Sequence, residues 1–332
     1  MNLQKLPKIE LHIHLEGSIP HTTLWKIIQK YGGDPTVPTL TSLQKKFEYK
    51  NFREFIESWS WKNQFLREYE DFELISEEFA KDLASQNVKY AEVFFSPSLF
   101  KKYNLNTQKI TESVNKGISK VNEIKINLIA DLVRDYGQEK ELITLKELSE
   151  VKNFNLIGIG IGGTEPDYPP EQFTEIYEQA RSMDFKTTVH AGEASGAESI
   201  WAALNYLRPD RIGHATRANE DPALMEYLSN RKIPVELCIL SNLKTGVISS
   251  VYEHPVKEFR SRGIPFSINT DDPKMFGNSL NDEYEALQKY FGCSDREIIE
   301  ILLDSIETTW LPDNEKTELK SNFETEIKKL FI

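Results

Sequence analysis

The residues able to do chemistry in this chain fall in four short pieces: His12-Ile13-His14, His190-Ala191-Gly192-Glu193, His214 and Asp271-Asp272. Together they offer three imidazoles and one carboxylate to a metal. They add a separate carboxylic acid in Glu193, a lone histidine in His214 and a second aspartate in Asp272. That equipment suits attack on a carbon by activated water while an acid protonates the leaving side. Imidazole and carboxylate donors fit Zn²⁺, and three or four protein ligands plus water describe a catalytic zinc. Each piece alone has a bland reading. A His-x-His pair is usually a surface or core feature, Glu193 and Asp272 can start helices, and His214 can be a satisfied core histidine. Their joint appearance favours chemistry, because no structural role requires all of them.

Each piece follows an apolar run that reads as a β-strand. Eight such runs occur: Ile9–His14, Lys89–Ser96, Ile126–Leu132, Leu156–Gly160, Lys186–His190, Arg211–His214, Val235–Ile239 and Phe266–Asn269. Amphipathic helical patterns fill most gaps, among them Glu171–Ser182 after Pro169-Pro170, Ser195–Tyr206 and Asp221–Arg231. Strand–helix alternation repeated in this way predicts an α/β fold, a parallel (β/α)8 TIM barrel, with a doubly wound open sheet as runner-up. In a barrel all strands aim their C-terminal ends at one face. The ends of strands one, five and eight then bring His12, His14, His190 and Asp271 to one mouth. The two-residue step places His12 and His14 on the same side of their strand.

Two segments exceed the repeat. A long insertion after the first strand contains the helical patterns Phe52–Leu66 and Asp71–Asn87. Three more follow the last strand, near Asn281–Phe291, Asp295–Thr308 and Asp313–Phe331. With no linker, internal repeat or low-complexity run, residues 1–332 are expected to form one domain. In the insertion, Phe52, Phe55, Ile56 and Trp59 share a helix face, with Trp61 off it. Such a stripe is either core or one wall of an apolar slot; its place after strand one assigns Phe55 and Trp59 to the slot.

A net charge of −12 repels phosphate backbones and anionic lipid, which argues against nucleic-acid and membrane partners and leaves a small molecule. The two cysteines, Cys238 in an apolar strand and Cys293 in a turn before a helix, give neither a disulfide framework nor a zinc-thiolate spacing. The opening MNLQKLPKIELHIHLEG breaks every apolar stretch with polar residues, so neither a signal peptide nor a spanning helix is expected there, and the cytoplasm is the default location. His21, after Pro20 at a helix start, reads as structural, and His254 has no assigned role.

The motifs Leu11-His12-Ile13-His14-Leu15-Glu16-Gly17, His190-Ala191-Gly192-Glu193, Arg211-Ile212-Gly213-His214 and Asn269-Thr270-Asp271-Asp272-Pro273 resemble those of the adenosine deaminase family of amidohydrolase barrels. The resemblance implies one Zn²⁺ per chain, held by His12, His14, His190 and Asp271. It makes Glu193 the acid that protonates purine N1, and His214 the residue that orients and deprotonates the attacking water, with Asp271 also catalytic. His14, Glu16, Asp272, Phe55 and Trp59 would contact substrate, Asp272 at N7, and the Gly163 N–H would meet N3. The implied reaction is hydrolytic deamination of a purine nucleoside, adenosine or 2′-deoxyadenosine, releasing ammonia. Adenine or a 5′-modified nucleoside such as aminofutalosine is the alternative, and a non-catalytic purine-binding protein a remote one. The family's adenosine enzymes generally carry aspartate where Glu16 stands. Gly160 and Thr164 occupy the turn where an aspartate is usual, and Ile239 replaces a proline before Ser241-Asn242. These departures bear on which 6-aminopurine is used. A two-metal hydrolase is disfavoured because strand four ends Gly160-Ile161-Gly162-Gly163 without a lysine, and AMP because no basic cluster lies near the motifs.

Overall fold

In the computed structural model, which describes residues 2–49 and 52–330, the apolar runs form parallel strands in two sheets. The first sheet orders β1 (Lys8–His14), β2 (Val88–Phe95), β3 (Lys125–Val133), β4 (Leu156–Gly162) and β5 (Lys186–Thr187). The second orders β6 (His190–Ala191), β7 (Ile212–His214), β8 (Val235–Leu237) and β9 (Phe266–Ile268). The expected fifth strand is therefore split in two. At the split the chain passes between sheets: Thr188 N–H still donates to Ile159 of β4, while the Val189 carbonyl accepts from Gly213 of β7. The other seam joins β1 to the turn after β9. Ile13 and Asp271 form a parallel bridge, with Asp271 N–H donating to His12 and His14 N–H to the Asp271 carbonyl. The parallel α/β barrel read from the sequence is the fold.

Strand β4 alternates isoleucine with Gly158, Gly160 and Gly162. A side chain on the glycine face would collide with Trp310, Phe94 and Asp131, at 2.6, 2.7 and 2.9 Å from the respective Cβ positions. The barrel interior there is thus filled from neighbouring elements. Its lower layer is charged: Arg211 pairs with Glu92 (2.5 Å) and Glu236 (2.7 Å) and stacks on Trp310. All three ionic side chains are buried, and a buried pair of this kind needs its full set of hydrogen bonds to offset desolvation.

The insertion holds α1 (His21–Lys30), α2 (Leu40–Lys45), α3 (Phe52–Asn63) and α4 (Tyr69–Ser85). Helix α3 ends before Leu66, because Phe65 and Leu66 turn back onto the Lys62 and Asn63 carbonyls. Helix α4 starts before Asp71, because Asp71 accepts from the backbone N–H of Arg67 and Glu68 and closes a capping box. The side chain of Phe52 and residue Phe331 lie outside what is described. The later helices run Leu280–Phe291, Asp295–Ser305 and Asp313–Leu330, with Ile306–Thr308 tightening into a 3₁₀ turn. The Ser195–Tyr206 pattern becomes a helix over Ala197–Ala202 that widens to a π-turn at Ala203–Leu207. Cys238 is buried one residue past β8 rather than within it. Among the described residues no helix is long and apolar enough to cross a membrane.

Candidate active site

The C-terminal ends of β1, β6, β7 and the turn after β9 converge on one point. Ligand atoms of His12, His190, His214 and Asp271 lie within 4.8 Å of one another. His14 joins them, its Nε2 lying 3.3 Å from both His190 Nε2 and Asp271 Oδ1. All four residues expected to hold a metal are therefore brought together, and His214 stands in the same circle. The side chains of His12, His190, His214 and Asp271 are oriented from behind. His12 Nδ1 meets Glu236 at 2.7 Å, and His190 Nδ1 meets the Ile161 carbonyl at 3.1 Å. Ser241 donates to Asp271 Oδ2 at 2.5 Å, and Asn242 meets His214 Nδ1 at 3.3 Å. This backing turns the Nε2 atoms of His12, His190 and His214 inward, as metal-site histidines require.

The electrostatics fit a cation. Burial, with neighbouring imidazoles, pushes His12 and His190 well below the ordinary histidine range, so both are neutral donors. Burial pulls His14 the same way, but its bond to Asp271 and the charges of Asp272 and Asp131 prevail and raise it to about 10. Asp271 lies well below the carboxylate range: burial opposes ionisation, and His14, His214 and His12 outweigh it. The Nε2 atoms of His12 and His214 are buried with no hydrogen-bond partner. Such orphaned atoms cost about 1–3 kcal/mol each unless a ligand meets them.

Glu193 projects from the turn after β6, as expected, with its Oε2 3.5 Å from His214 Nε2. Burial, reinforced by Asp271 and Glu165 against His214, raises its carboxyl to about 7. The turn is held by Glu165, whose buried carboxylate accepts from the backbone N–H of Gly192, Glu193, Ala194 and Ser195 and from the Ser199 hydroxyl. Asp272 is buried beside the metal cluster. Burial and the adjacent Asp271 push it up to about 7, and its Oδ1 has no partner.

A cavity of about 310 Å³ opens above these groups, within the range of small-molecule sites. His14, His190, Glu193, His214, Asp271 and Asp272 line one side, and Phe55, Ile56 and Trp59 of α3 cover it. Ser96, Asp131, Gly163 and Thr164 line the β2–β4 side. Gly163 has φ 110, and a Cβ there would lie 2.4 Å from Asp135. Glu16 is placed differently. It is buried behind the cavity rather than among its lining residues, and its Oε1 accepts from the Ser96 N–H at 2.9 Å. His21 bonds the Lys274 carbonyl and stacks on Phe47, a structural role.

A family model described as adenosine deaminase matches residues 7–326. The chain belongs to the adenosine deaminase family. An adenosine deaminase of Aliivibrio fischeri is 33% identical, over 96% of this chain and 98% of the relative. An aminodeoxyfutalosine deaminase of Streptomyces coelicolor is 31% identical over 96% of this chain and 84% of the relative. The crystal structure of an adenine deaminase from Arthrobacter aurescens superposes with a TM-score of 0.92 at 25% identity, covering 97% of this chain and 99% of that one. The protein is thus a hydrolytic deaminase of the amidohydrolase type.

Several parts of this deaminase site escaped the reading of motifs. Glu236, behind His12, and Asp131, in the cavity wall, carried a usable signal: each is a charge inside an apolar strand, in Val235-Glu236-Leu237 and Ala130-Asp131-Leu132. Ser241 and Asn242 were visible only as a motif position, and the structure gives their reason, one holding Asp271 and the other His214. Glu165 had no local signal, since its partners lie 27 to 34 residues away.

Proposed function

We propose that this deaminase removes the 6-amino group of a purine nucleoside, adenosine or 2′-deoxyadenosine, using one Zn²⁺ per chain held by His12, His14, His190 and Asp271. The observation that carries the reading is the placement of Glu193 and His214 in the cavity wall beside that four-residue cluster. When bound, the metal would lower the pKa of a water to near 7 and so supply a nucleophile at neutral pH.

The protein's own groups then have separable tasks. Glu193, raised to about 7, is substantially protonated at neutral pH and delivers its proton to N1 as C6 becomes tetrahedral. His214 orients the attacking water and takes its proton. The new C6–O bond forms; N6 then takes the proton held on His214, the C6–N6 bond breaks and N6 leaves as ammonia, while the C6 hydroxyl proton returns to the Glu193 carboxylate as C6=O forms. N7 offers only a lone pair, so it needs a donor, and a carboxyl raised to about 7 at Asp272 can supply one. The Gly163 N–H serves N3, and Phe55 and Trp59 give the purine an apolar cover.

A second reading, free adenine or a 5′-modified nucleoside, is favoured by Glu16. Its carboxylate is bonded to the Ser96 N–H and stands outside the cavity lining, where it cannot read a 5′-hydroxyl without moving. Purified enzyme assayed for loss of the 6-aminopurine ultraviolet band separates the readings. Adenosine and 2′-deoxyadenosine should be the best substrates in a set including adenine, AMP and 5′-modified nucleosides, and elemental analysis should give one zinc per chain. A clear preference for adenine would replace the nucleoside assignment, and two metals per chain would replace the mononuclear one.

A further inference from the structure

Among the described residues that line the cavity, Asp131 is the one acidic side chain that comes from within strands β2 to β4. It is 6% exposed and lines the cavity. Its carboxylate lies over the side-chain-free face of β4, close to the Cβ positions that Gly160 and Gly162 lack. Ser96 Oγ approaches Oδ2 at 3.5 Å, and His14 Nδ1 is 3.9 Å from the same oxygen, beyond hydrogen-bond distance. Oδ1 is buried and has no partner at all. A buried carboxylate oxygen left open in a cavity wall is costly, and a ligand hydrogen-bond donor relieves that cost.

The surroundings narrow the donor. Among the described lining residues the ionisable groups are histidines, carboxylates and the Tyr136 phenol, with no lysine or arginine. Arg134, nearest in sequence, is committed elsewhere, its guanidinium donating to the Tyr168 and His190 carbonyls. Lys62 is buried outside the lining and donates to Asn63. This wall would repel a phosphate and accept a neutral hydroxyl. It also adjoins Gly163, the group proposed for N3, the ring atom on the sugar-bearing side.

We infer that Asp131 is a specificity-determining residue that accepts a hydrogen bond from a hydroxyl of the N9 sugar, so that the substrate is an unphosphorylated nucleoside. The inference rests on the 6-aminopurine reading given above. Its test is kcat/KM for adenosine, its 2′-, 3′- and 5′-deoxy analogues, adenine and AMP, with wild type, Asp131→Ala and Asp131→Asn. Wild type should discriminate against one deoxy analogue by about ten- to hundredfold. Asp131→Ala should lose a similar factor on adenosine while keeping its metal and its rate on that analogue. Asp131→Asn, which retains an acceptor oxygen, should fall between. Equal losses on every substrate would assign Asp131 to support of His14 and overturn the inference. So would a wild type that treats adenosine and all three deoxy analogues alike, or that prefers AMP to adenosine; both outcomes are readable even if the alanine variant does not fold. A wild type inactive on every 6-aminopurine would instead remove the reaction itself.

Discussion

Strands β1 to β4 run for seven to nine residues and pair in long parallel ladders, whereas β6 to β9 hold only two or three residues each. The short half carries Glu193, His214 and Asp271. Its strands give way to left-handed backbone at Gly192 (φ 72), His214 (φ 61), Ala215 (φ 51) and Asp271 (φ 66). For residues other than glycine that conformation costs roughly 1–2 kcal/mol each. The long half supplies a wall, and within its cavity lining only Gly163, with φ 110, departs in this way. Regular pairing is therefore given up where side chains converge on the histidine–aspartate cluster and largely kept where they only wall the cavity. Strand β1 belongs to both regimes: its ladder with β2 slips in register between Glu10 and Ile13, at His12, and resumes with His14 opposite Phe94.

The contrast predicts that substitutions in the short half destroy turnover, while those in the long half change selectivity or stability. The largest effect is expected at Asp271. Asp271→Ala should lose the metal, the activity or both, as should His12→Ala; full metal occupancy with wild-type kcat in either would break the proposed ligand set. Next, Glu193→Gln should retain fold and metal while kcat falls by at least about 10²–10⁴, the worth of a positioned general acid. Near wild-type kcat in that variant would return Glu193 to a structural role. Glu236→Ala, which removes the carboxylate behind His12, should weaken metal affinity by about 10–100-fold, measurable by competition with a chelator. An unchanged affinity would show that His12 needs no such support.

The smallest effect tests the far end of β1. Lys8 is buried with its Nζ on the Leu3 and Leu6 carbonyls, and burial, against Glu10, lowers it to about 7. The unfolded chain holds that proton up to the ordinary lysine value, so between about 7 and 10.5 it binds more protons than the folded one. Lys8's contribution is complete above that window and lost as pH falls through about 7. Stability should thus rise with pH across the window, by at most about 1.4 kcal/mol per pH unit from this group. Lys8→Met should remove that rise in urea midpoints and leave kcat at pH 7 unchanged. Parallel pH profiles for the two proteins would exclude Lys8 as its source.

Much of this arrangement was legible from local pattern, because apolar runs mark strands and the residue after a run marks the barrel mouth. Local pattern put His12, His14, His190, Glu193 and Asp271 at one barrel mouth, and the structure brings them together there. What local pattern could not give is long-range. The split of strand five at Thr188-Val189 follows from pairing with β4 on one side and β7 on the other. The placement of Glu16 follows from the Ser96 N–H, 80 residues away. Helix ends moved for the same kind of reason at a shorter range, as where Asp71 caps α4 from inside it.

The bridge between Ile13 and Asp271 has a consequence for the order in which the molecule is made. His12 and His14 leave the ribosome well before the Asp271 carboxylate that lies beside them in the fold, which follows 257 residues after His14. At about 5–20 residues per second the nascent chain waits on the order of tens of seconds with its histidines unpaired. Contacts of such sequence separation also form slowly, because loop closure must precede any reward. Assembly of the His12, His190, His214 and Asp271 cluster is thereby deferred until synthesis has passed the last strand.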